Sequence, residues 1–455
     1  MSSRIENPGL LTDLYELTMA AAYFQNCHNA PASFELFIRN LPSHRGYLVA
    51  AGLEQALDYL EDLAFSDTQI EFLRRHPGFS KVGDEFFEYL RRLRFQGEVW
   101  AVEEGTPVFS LEPLLRVTAP VIEAQIVETY LLTTITFQTM IASKAARIVQ
   151  SAAGRPVVEF GSRRAHGPLA GVLAARAAYL AGCSGTSNVE AHYRFGVPSS
   201  GTMAHSFVMS YHEELQSFRD FMGVFGNSSV LLLDTYDSLG ALEKIISAGL
   251  RPAGVRLDSG NLAEISQQVR RRLDRSGLHA TKIVASGDLD EYSIAKLLAS
   301  GASIDLFGVG TALATSLDAP ALSGVYKLVM FDHQPRVKLS EQEEKPTYPD
   351  CKQVFRFTEE GVHCHDIIGA ADEVYPQAEP LLSCVMRNGR RVTPAPSLQE
   401  LREKAALRIR RLPAAVRDLE HPATYPVEYS EKLKELFARI RRQATLQGNS
   451  DQVWF

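Results

Sequence analysis

Cysteine is scarce and unpatterned in this chain: Cys27, Cys183, Cys351, Cys364 and Cys384 are odd in number and include no Cys-x-x-Cys pair. That usage excludes a disulfide scaffold and fits reduced thiols in a cytoplasm. No run of residues is apolar enough to span a bilayer. The first 24 residues break their apolar positions with Arg4, Glu6, Asp13 and Glu16, so the unbroken apolar core of a signal peptide is missing. An excess of positive charge is missing too. The formal net charge is −7, and no overall field recruits nucleic acid or an anionic membrane. Any anion must be held by local groups. No Gly-x-Gly-x-x-Gly follows the first strand of the α/β region, which removes support for a dinucleotide fold. There is also no low-complexity tract, and no repeat at fixed spacing beyond β/α units.

What is present is a recurring plan: an apolar strand, a polar end containing glycine, then an amphipathic helix. Val157-Val158-Glu159-Phe160-Gly161 leads into Ser162-Arg163-Arg164-Ala165-His166-Gly167-Pro168 and a helical pattern from Leu169 to Leu180. Val230–Asp234, Gly254–Gly260, Lys282–Asp288 and Ile304–Gly310 continue the series, with helices near 239–248 and 262–273. Short, nearly all-apolar strands alternating with helices predict parallel strands buried on both faces and joined by right-handed crossovers. Polar residues fall at nearly every strand's C-terminal end, which favours a barrel over an open sheet with one switch point.

With 455 residues, 45% of them hydrophobic, the chain is long enough for two or three domains. We expect an N-terminal α+β domain over 1–135, an α/β barrel over 136–325, and a C-terminal extension over 326–455, β-rich and then helical, packing on the N-terminal domain. Helices are expected at Leu11–Phe24, Gly52–Leu63 and Asp84–Arg94. Gly97–Val102 and Thr106–Ser110 read as neighbouring strands. Val325–Val337 and Gln353–Phe357 read as strands, Glu341–Lys345 as a solvated loop, and Ser397–Gln443 as charged helix.

The candidate chemistry gathers at the strand ends. Gly201-Thr202-Met203-Ala204-His205-Ser206 holds one imidazole in a small-residue loop before a helix, where it can act on a phosphate. Ser286-Gly287-Asp288 and Gly308-Val309-Gly310-Thr311 precede helices and could cradle phosphate with backbone donors. Either one alone is more often only a turn and cap; together, on consecutive strands, they gain weight. Arg163, Arg164 and Arg256 could grip phosphate or carboxylate, or form surface ion pairs. Asp258, two residues after Arg256, shares its face. It could hold ribose hydroxyls or magnesium, or simply neutralise the arginine. His363-Cys364-His365 with Cys351 fits no usual zinc spacing.

These pieces together resemble the nicotinate phosphoribosyltransferase family. The matching motifs are Leu10-Leu11-Thr12-Asp13-Leu14-Tyr15-Glu16-Leu17-Thr18-Met19, Glu159-Phe160-Gly161-Ser162-Arg163-Arg164, the Gly201–Ser206 hexapeptide, Arg256-Leu257-Asp258-Ser259-Gly260 and Gly324-Val325-Tyr326-Lys327-Leu328. They span residues 10 to about 345 in family order, and Tyr425-Pro426-Val427 with Leu433 onward resembles the longer members. The resemblance implies an imperfect α/β barrel of the type II phosphoribosyltransferase class with an N-terminal α+β domain, assembled as a homodimer in the cytoplasm. It implies a reaction of nicotinate with phosphoribosyl pyrophosphate, giving nicotinate mononucleotide and pyrophosphate for NAD salvage. ATP is a co-substrate, Mg2+ the cofactor, and the whole a ligase-class C–N bond formation. By the same resemblance His205 becomes a phosphohistidine, and Tyr15 stacks on the nicotinate ring from the neighbouring subunit beside Thr202. Arg163 and Arg164 serve the carboxylate or the pyrophosphate, Arg256 matches a ligand-binding arginine and Thr311 a phosphoribosyl-binding threonine, beside the phosphate-cradling candidates Ser286, Gly287, Gly308 and Gly310. Asp258 serves the ribose and the developing positive charge.

Nicotinamide-using relatives place an aspartate in Gly-Thr-Asp, where this chain has Gly185-Thr186-Ser187, so the acid is expected over the amide. The rival readings are a nicotinamide or quinolinate phosphoribosyltransferase, and a catalytically inactive ligand sensor.

Overall fold

The computed structural model describes residues 5–339 and 347–447; the expected loop Glu341–Lys345 lies outside them. The chain divides into two compact units. Met140–Pro320 forms one, and the segments up to Thr139 and from Ala321 onward form the other.

The first unit holds six parallel strands, in the order Gly185–Thr186, Val157–Glu159, Leu306–Val309, Lys282–Ala285, Gly254–Leu257, Val230–Leu232. Each strand is only two to four residues, and nearly all are buried, as expected of strands covered on both faces. The last strand in sequence pairs with the first, Phe307 lying against Val157 and Val309 against Glu159. That return is what a barrel requires and what an open sheet with a switch point lacks. No ladder joins Gly185–Thr186 to Val230–Leu232 among the described residues, so the barrel is imperfect. A single bridge from Thr186 to Ser199 begins to fill the gap. Residues 187–229, with the His205 loop among them, run in the sequence across this break. Helices Pro168–Leu180, Ser238–Ser247, Leu262–Arg275 and Glu291–Ala299 supply the crossovers. Among the described residues no helix is long and apolar enough to cross a membrane.

The second unit is built on a seven-stranded antiparallel sheet in the order Gln334–Pro335, Gly324–Phe331, Pro31–Ile38, Pro113–Pro120, Glu98–Val102, Leu382–Arg387, Arg390–Arg391. Strands from both flanking segments thus share one sheet. A four-stranded sheet carries Lys352–Glu359 and Val362–Ala370. Helix Leu14–Gln25 starts at a capping box between Asp13 and Glu16.

Two expectations need correction. Glu98–Val102 and Pro107–Val108 are not neighbours: the first pairs with Pro113–Pro120 and Leu382–Arg387, the second with Leu48–Val49 in a separate two-stranded sheet. Gly105 at φ +82° turns the chain between them away from a hairpin ladder. The C-terminal segment is not one helical stretch. Helices Leu398–Arg410 and Glu431–Gln447 are separated by Pro413, Pro422 and Pro426, which cannot continue a helix, and by the strand Val427–Tyr429.

Candidate active site

At the C-terminal ends of the parallel strands lies a cavity of about 310 Å3 lined by Phe160, Arg163, Ser187, Gly201, Thr202, Met203, Ala204, His205, Arg256 and Asp258. Its organising group is the Arg256 guanidinium. Nε donates to Ser286 Oγ at 2.7 Å, one terminal nitrogen to Thr202 Oγ1 at 3.1 Å, and the other to Asp258 Oδ1 at 2.6 Å. Ser286 donates to the same Asp258 oxygen. Burial raises the Asp258 carboxyl, but the Ser286 hydrogen bond and the Arg256 charge outweigh it and hold the pKa below the usual aspartate value. Asp258 therefore stays anionic at neutral pH. Its other oxygen, Oδ2, lies 3.7 Å from His205 Nε2, and His205 Nδ1 lies 3.2 Å from Thr235 Oγ1. One imidazole thus stands at the cavity wall between a carboxylate and a hydroxyl.

Glycine shapes this rim. Gly287 has φ +91°, and a β-carbon there would meet the Asp258 carbonyl oxygen at 2.0 Å. Gly308 packs so closely on Phe160 that a β-carbon would lie 2.5 Å from its ring. The Phe160 ring in turn lies 5.8 Å from the Arg256 guanidinium carbon, giving the cavity an aromatic wall.

Under the cavity, Glu159 is fully buried. It accepts hydrogen bonds from the Thr186 hydroxyl at 2.6 Å and from the Gly161 amide. Burial pushes its carboxyl up, against these two bonds, which pull it down.

Family comparison decides what this arrangement belongs to. The nicotinate phosphoribosyltransferase models match in chain order: the N-terminal domain at residues 10–136, the family at 156–363 and the C-terminal domain at 374–437. The chain belongs to the nicotinate phosphoribosyltransferase family. It is 45% identical over 457 residues to a nicotinate phosphoribosyltransferase of Mycobacterium tuberculosis, covering 99% of this chain and 97% of the relative. It is 32% identical over 514 residues to the human nicotinate phosphoribosyltransferase, covering 94% and 95%. The crystal structure of human nicotinic acid phosphoribosyltransferase superposes with a TM-score of 0.85 at 30% identity, covering 95% of this chain and 100% of that one. That of nicotinate-nucleotide pyrophosphorylase from Pyrococcus furiosus reaches 0.73 at 26% identity, covering 89% and 96%.

In this member of the family the cavity collects Arg163, Ser187, Thr202, His205, Arg256 and Asp258 of the expected residues. Ser286 and Gly287 support Asp258 from behind. Arg164 shares a 3-10 turn with Arg163 but does not line the cavity. Gly308, Gly310 and Thr311 lie on the adjacent strand end, outside the lining. The helix after Ser286-Gly287-Asp288 begins only at Glu291 and is closed by its own cap, Asp290 accepting from Ser293 N at 2.7 Å. Tyr15 belongs to the other unit, on helix Leu14–Gln25; burial and the nearby Glu128 and Glu16 charges raise its phenol.

Phe160, Asp234 and Thr235 are site residues that sequence reasoning missed. Asp234 accepts from the Ser259 hydroxyl at 2.6 Å through Oδ2, while its buried Oδ1 has no hydrogen-bond partner. Its place at a strand end, matching that of Asp258, is the signal that could have found it. A larger cavity of about 740 Å3 lies in the second unit, around residues 40–46 and 422–429, and contains none of the expected residues. Size alone therefore misplaces the chemistry, which follows the convergent polar groups.

Proposed function

We propose that the protein is a nicotinate phosphoribosyltransferase of pyridine nucleotide salvage in the cytoplasm. It bonds the ring nitrogen of nicotinate to C1 of phosphoribosyl pyrophosphate, the C1–oxygen bond breaks, and pyrophosphate leaves. ATP hydrolysis is coupled to this step through His205. The observation that carries the reading is the lining of the 310 Å3 cavity, where Arg163, Arg256 and His205 surround an uncharged Ser187 beside the Phe160 ring. A flat aromatic acid finds there an aromatic wall and cations for its carboxylate, while the one carboxylate in the lining, Asp258, is already paired with Arg256.

Asp258, anionic and fixed by Arg256 and Ser286, stands where positive charge would develop on the ribose as the C1–oxygen bond lengthens. His205 takes the γ-phosphoryl group of ATP: a ring nitrogen attacks phosphorus, the bond to ADP breaks, and the hydroxyl of Thr235 with the carboxylate of Asp258 orients the ring. Magnesium fits this rim as an ion carried by the substrates' phosphates. Among the described residues no three His, Cys, Asp or Glu side chains gather around one point, yet Asp234 leaves a buried carboxylate oxygen unpartnered next to Ser259. When bound it would neutralise charge on the leaving pyrophosphate.

The helices after His205 expose Met209, 63% accessible, and Phe225, 55%, beside the ring cluster of Phe207, Tyr211 and Phe221. Such a face suits coverage by a second copy, and Tyr15, 47% exposed, suits stacking in the neighbouring copy's cavity. The test is product analysis with phosphoribosyl pyrophosphate, magnesium and either pyridine. Nicotinate mononucleotide is the expected product. Nicotinamide mononucleotide, or an unchanged acid preference in a Ser187→Asp variant, would contradict the argument from Ser187.

A further inference from the structure

Glu159 supplies no atom to the cavity, yet it joins the two loops that form the cavity's pyridine end. It ends the strand Val157–Glu159, so Phe160, Gly161 and the turn Ser162–Arg164 follow it directly. One carboxylate oxygen accepts from the Gly161 amide at the start of that turn, and the other from Thr186 Oγ1 on the neighbouring strand. Its backbone oxygen accepts from Ser187 N at 2.9 Å. Thr186 passes the connection on: its hydroxyl accepts from Asn188 N at 3.0 Å, and Asn188 Nδ2 donates to Ser162 Oγ at 3.1 Å, returning to the first loop. A closed ring of hydrogen bonds thus runs Glu159, Thr186, Asn188, Ser162 and back through Gly161.

Phe160 and Ser187 lie between members of this ring in the sequence and Arg163 follows Ser162 directly, and all three line the cavity. A different set of bonds, centred on Arg256, Asp258, Ser286 and Thr202, holds the opposite side of the lining and does not include Glu159. A buried carboxylate is costly unless hydrogen-bonded, and here its bonds are spent on loop geometry rather than on a cation. Space for an alternative is absent too. A β-carbon on Gly161 would fall 2.9 Å from the Glu159 carboxylate, 2.7 Å from the Gly310 carbonyl oxygen and 2.3 Å from the Ala314 side chain, so the first loop is seated tightly at this point.

We propose that Glu159, acting through Thr186, is a positioning residue that fixes Phe160, Arg163 and Ser187 for the pyridine acid without positioning the phosphoribosyl donor. The inference rests on the reading of the cavity given above. The test compares Thr186→Val, Thr186→Ser and Glu159→Gln with the wild type, measuring kcat, the KM of each substrate and amide hydrogen exchange over 160–165 and 186–189. Thr186→Val is expected to raise the KM for nicotinate about tenfold while kcat and the KM for phosphoribosyl pyrophosphate stay within about twofold. Thr186→Ser and Glu159→Gln, which keep a hydrogen-bonding group on each side, are expected to restore the nicotinate KM to within about threefold. Exchange should quicken in both loops of Thr186→Val and recover in Thr186→Ser. An unchanged nicotinate KM in Thr186→Val, or a loss shared equally by both substrates, would overturn the proposal. A wild-type protein that makes no nicotinate mononucleotide would instead overturn the functional reading. Loop exchange would still decide the bracing role in that case, and unaltered exchange in Thr186→Val would remove it.

Discussion

At the scale of single residues, Gly287 is the position with least freedom. Its φ of +91° and the Asp258 carbonyl oxygen, which would lie 2.0 Å from a β-carbon, leave no room for a side chain. Gly287→Ala should cost about 2 kcal/mol and displace Asp258, seen as a lower unfolding midpoint together with lost turnover. Asp258→Asn keeps the shape but removes the charge proposed to face the ribose. Its kcat should fall by about a hundredfold or more with little change in the unfolding midpoint, and a wild-type kcat would exclude the charge-stabilising role. Arg256 and Asp258 were legible as a pair, because side chains two apart on a strand share a face, and the 2.6 Å ion pair bears that out. Phe160 was not, since an aromatic following Val157-Val158-Glu159 reads as one more strand residue; only the turn at Gly161 brings its ring into the cavity wall. Asp234 and Thr235 were hidden for a related reason: their role depends on the distance to Ser259 and His205, which lie 25 and 30 residues away in the sequence.

At the scale of elements, buried carboxyls set how stability varies with pH. Glu123, on helix Val121–Ile126, accepts from Gln96 N at 2.7 Å, and burial pushes its pKa up to about 7. The folded state then binds a proton that the unfolded chain has released, so its contribution to stability declines as pH rises from about 4.5 to about 7. Glu123→Gln should therefore lose less of its unfolding temperature between about pH 5 and pH 8 than the wild type does, and an identical loss would contradict this. Glu16, also pushed up to about 7 by burial, keeps part of the dependence. In the Lys352–Glu359 and Val362–Ala370 strands, Arg356 and Asp366 form an ion pair whose side chains are 1% and 0% exposed, and Tyr425 donates to Asp366 at 3.0 Å. Asp366→Asn strands a buried guanidinium and should cost about 3–5 kcal/mol in denaturant unfolding. The sequence showed the first of these strands, as Gln353–Phe357, by its valine and aromatic residues, but neither the second strand nor their pairing. Pairing of Glu98–Val102 with Leu382–Arg387 joins residues more than half the chain apart, and no local pattern encodes that register.

At the scale of the whole molecule, the barrel was legible because each strand ends in polar or small residues, and the chain's return is visible in the pairing of Leu306–Val309 with Val157–Glu159. The break beside Gly185–Thr186 was not, since it is defined by a missing strand rather than by any residue type. If a second copy completes the site with Tyr15, two variants that lack ATP-coupled turnover should rescue each other. Mixed and reassembled Tyr15→Ala and His205→Ala chains would form dimers with one intact site, giving about a quarter of wild-type activity. No recovery would place Tyr15 in its own chain's site or outside the reaction. The central claim, that His205 couples ATP to nucleotide formation, is tested most directly by following nicotinate mononucleotide and ADP together in wild type and His205→Ala. The account predicts that both products rise in step in the wild type, while the variant forms the mononucleotide slowly and independently of ATP. Equal, ATP-dependent turnover in the variant would contradict it.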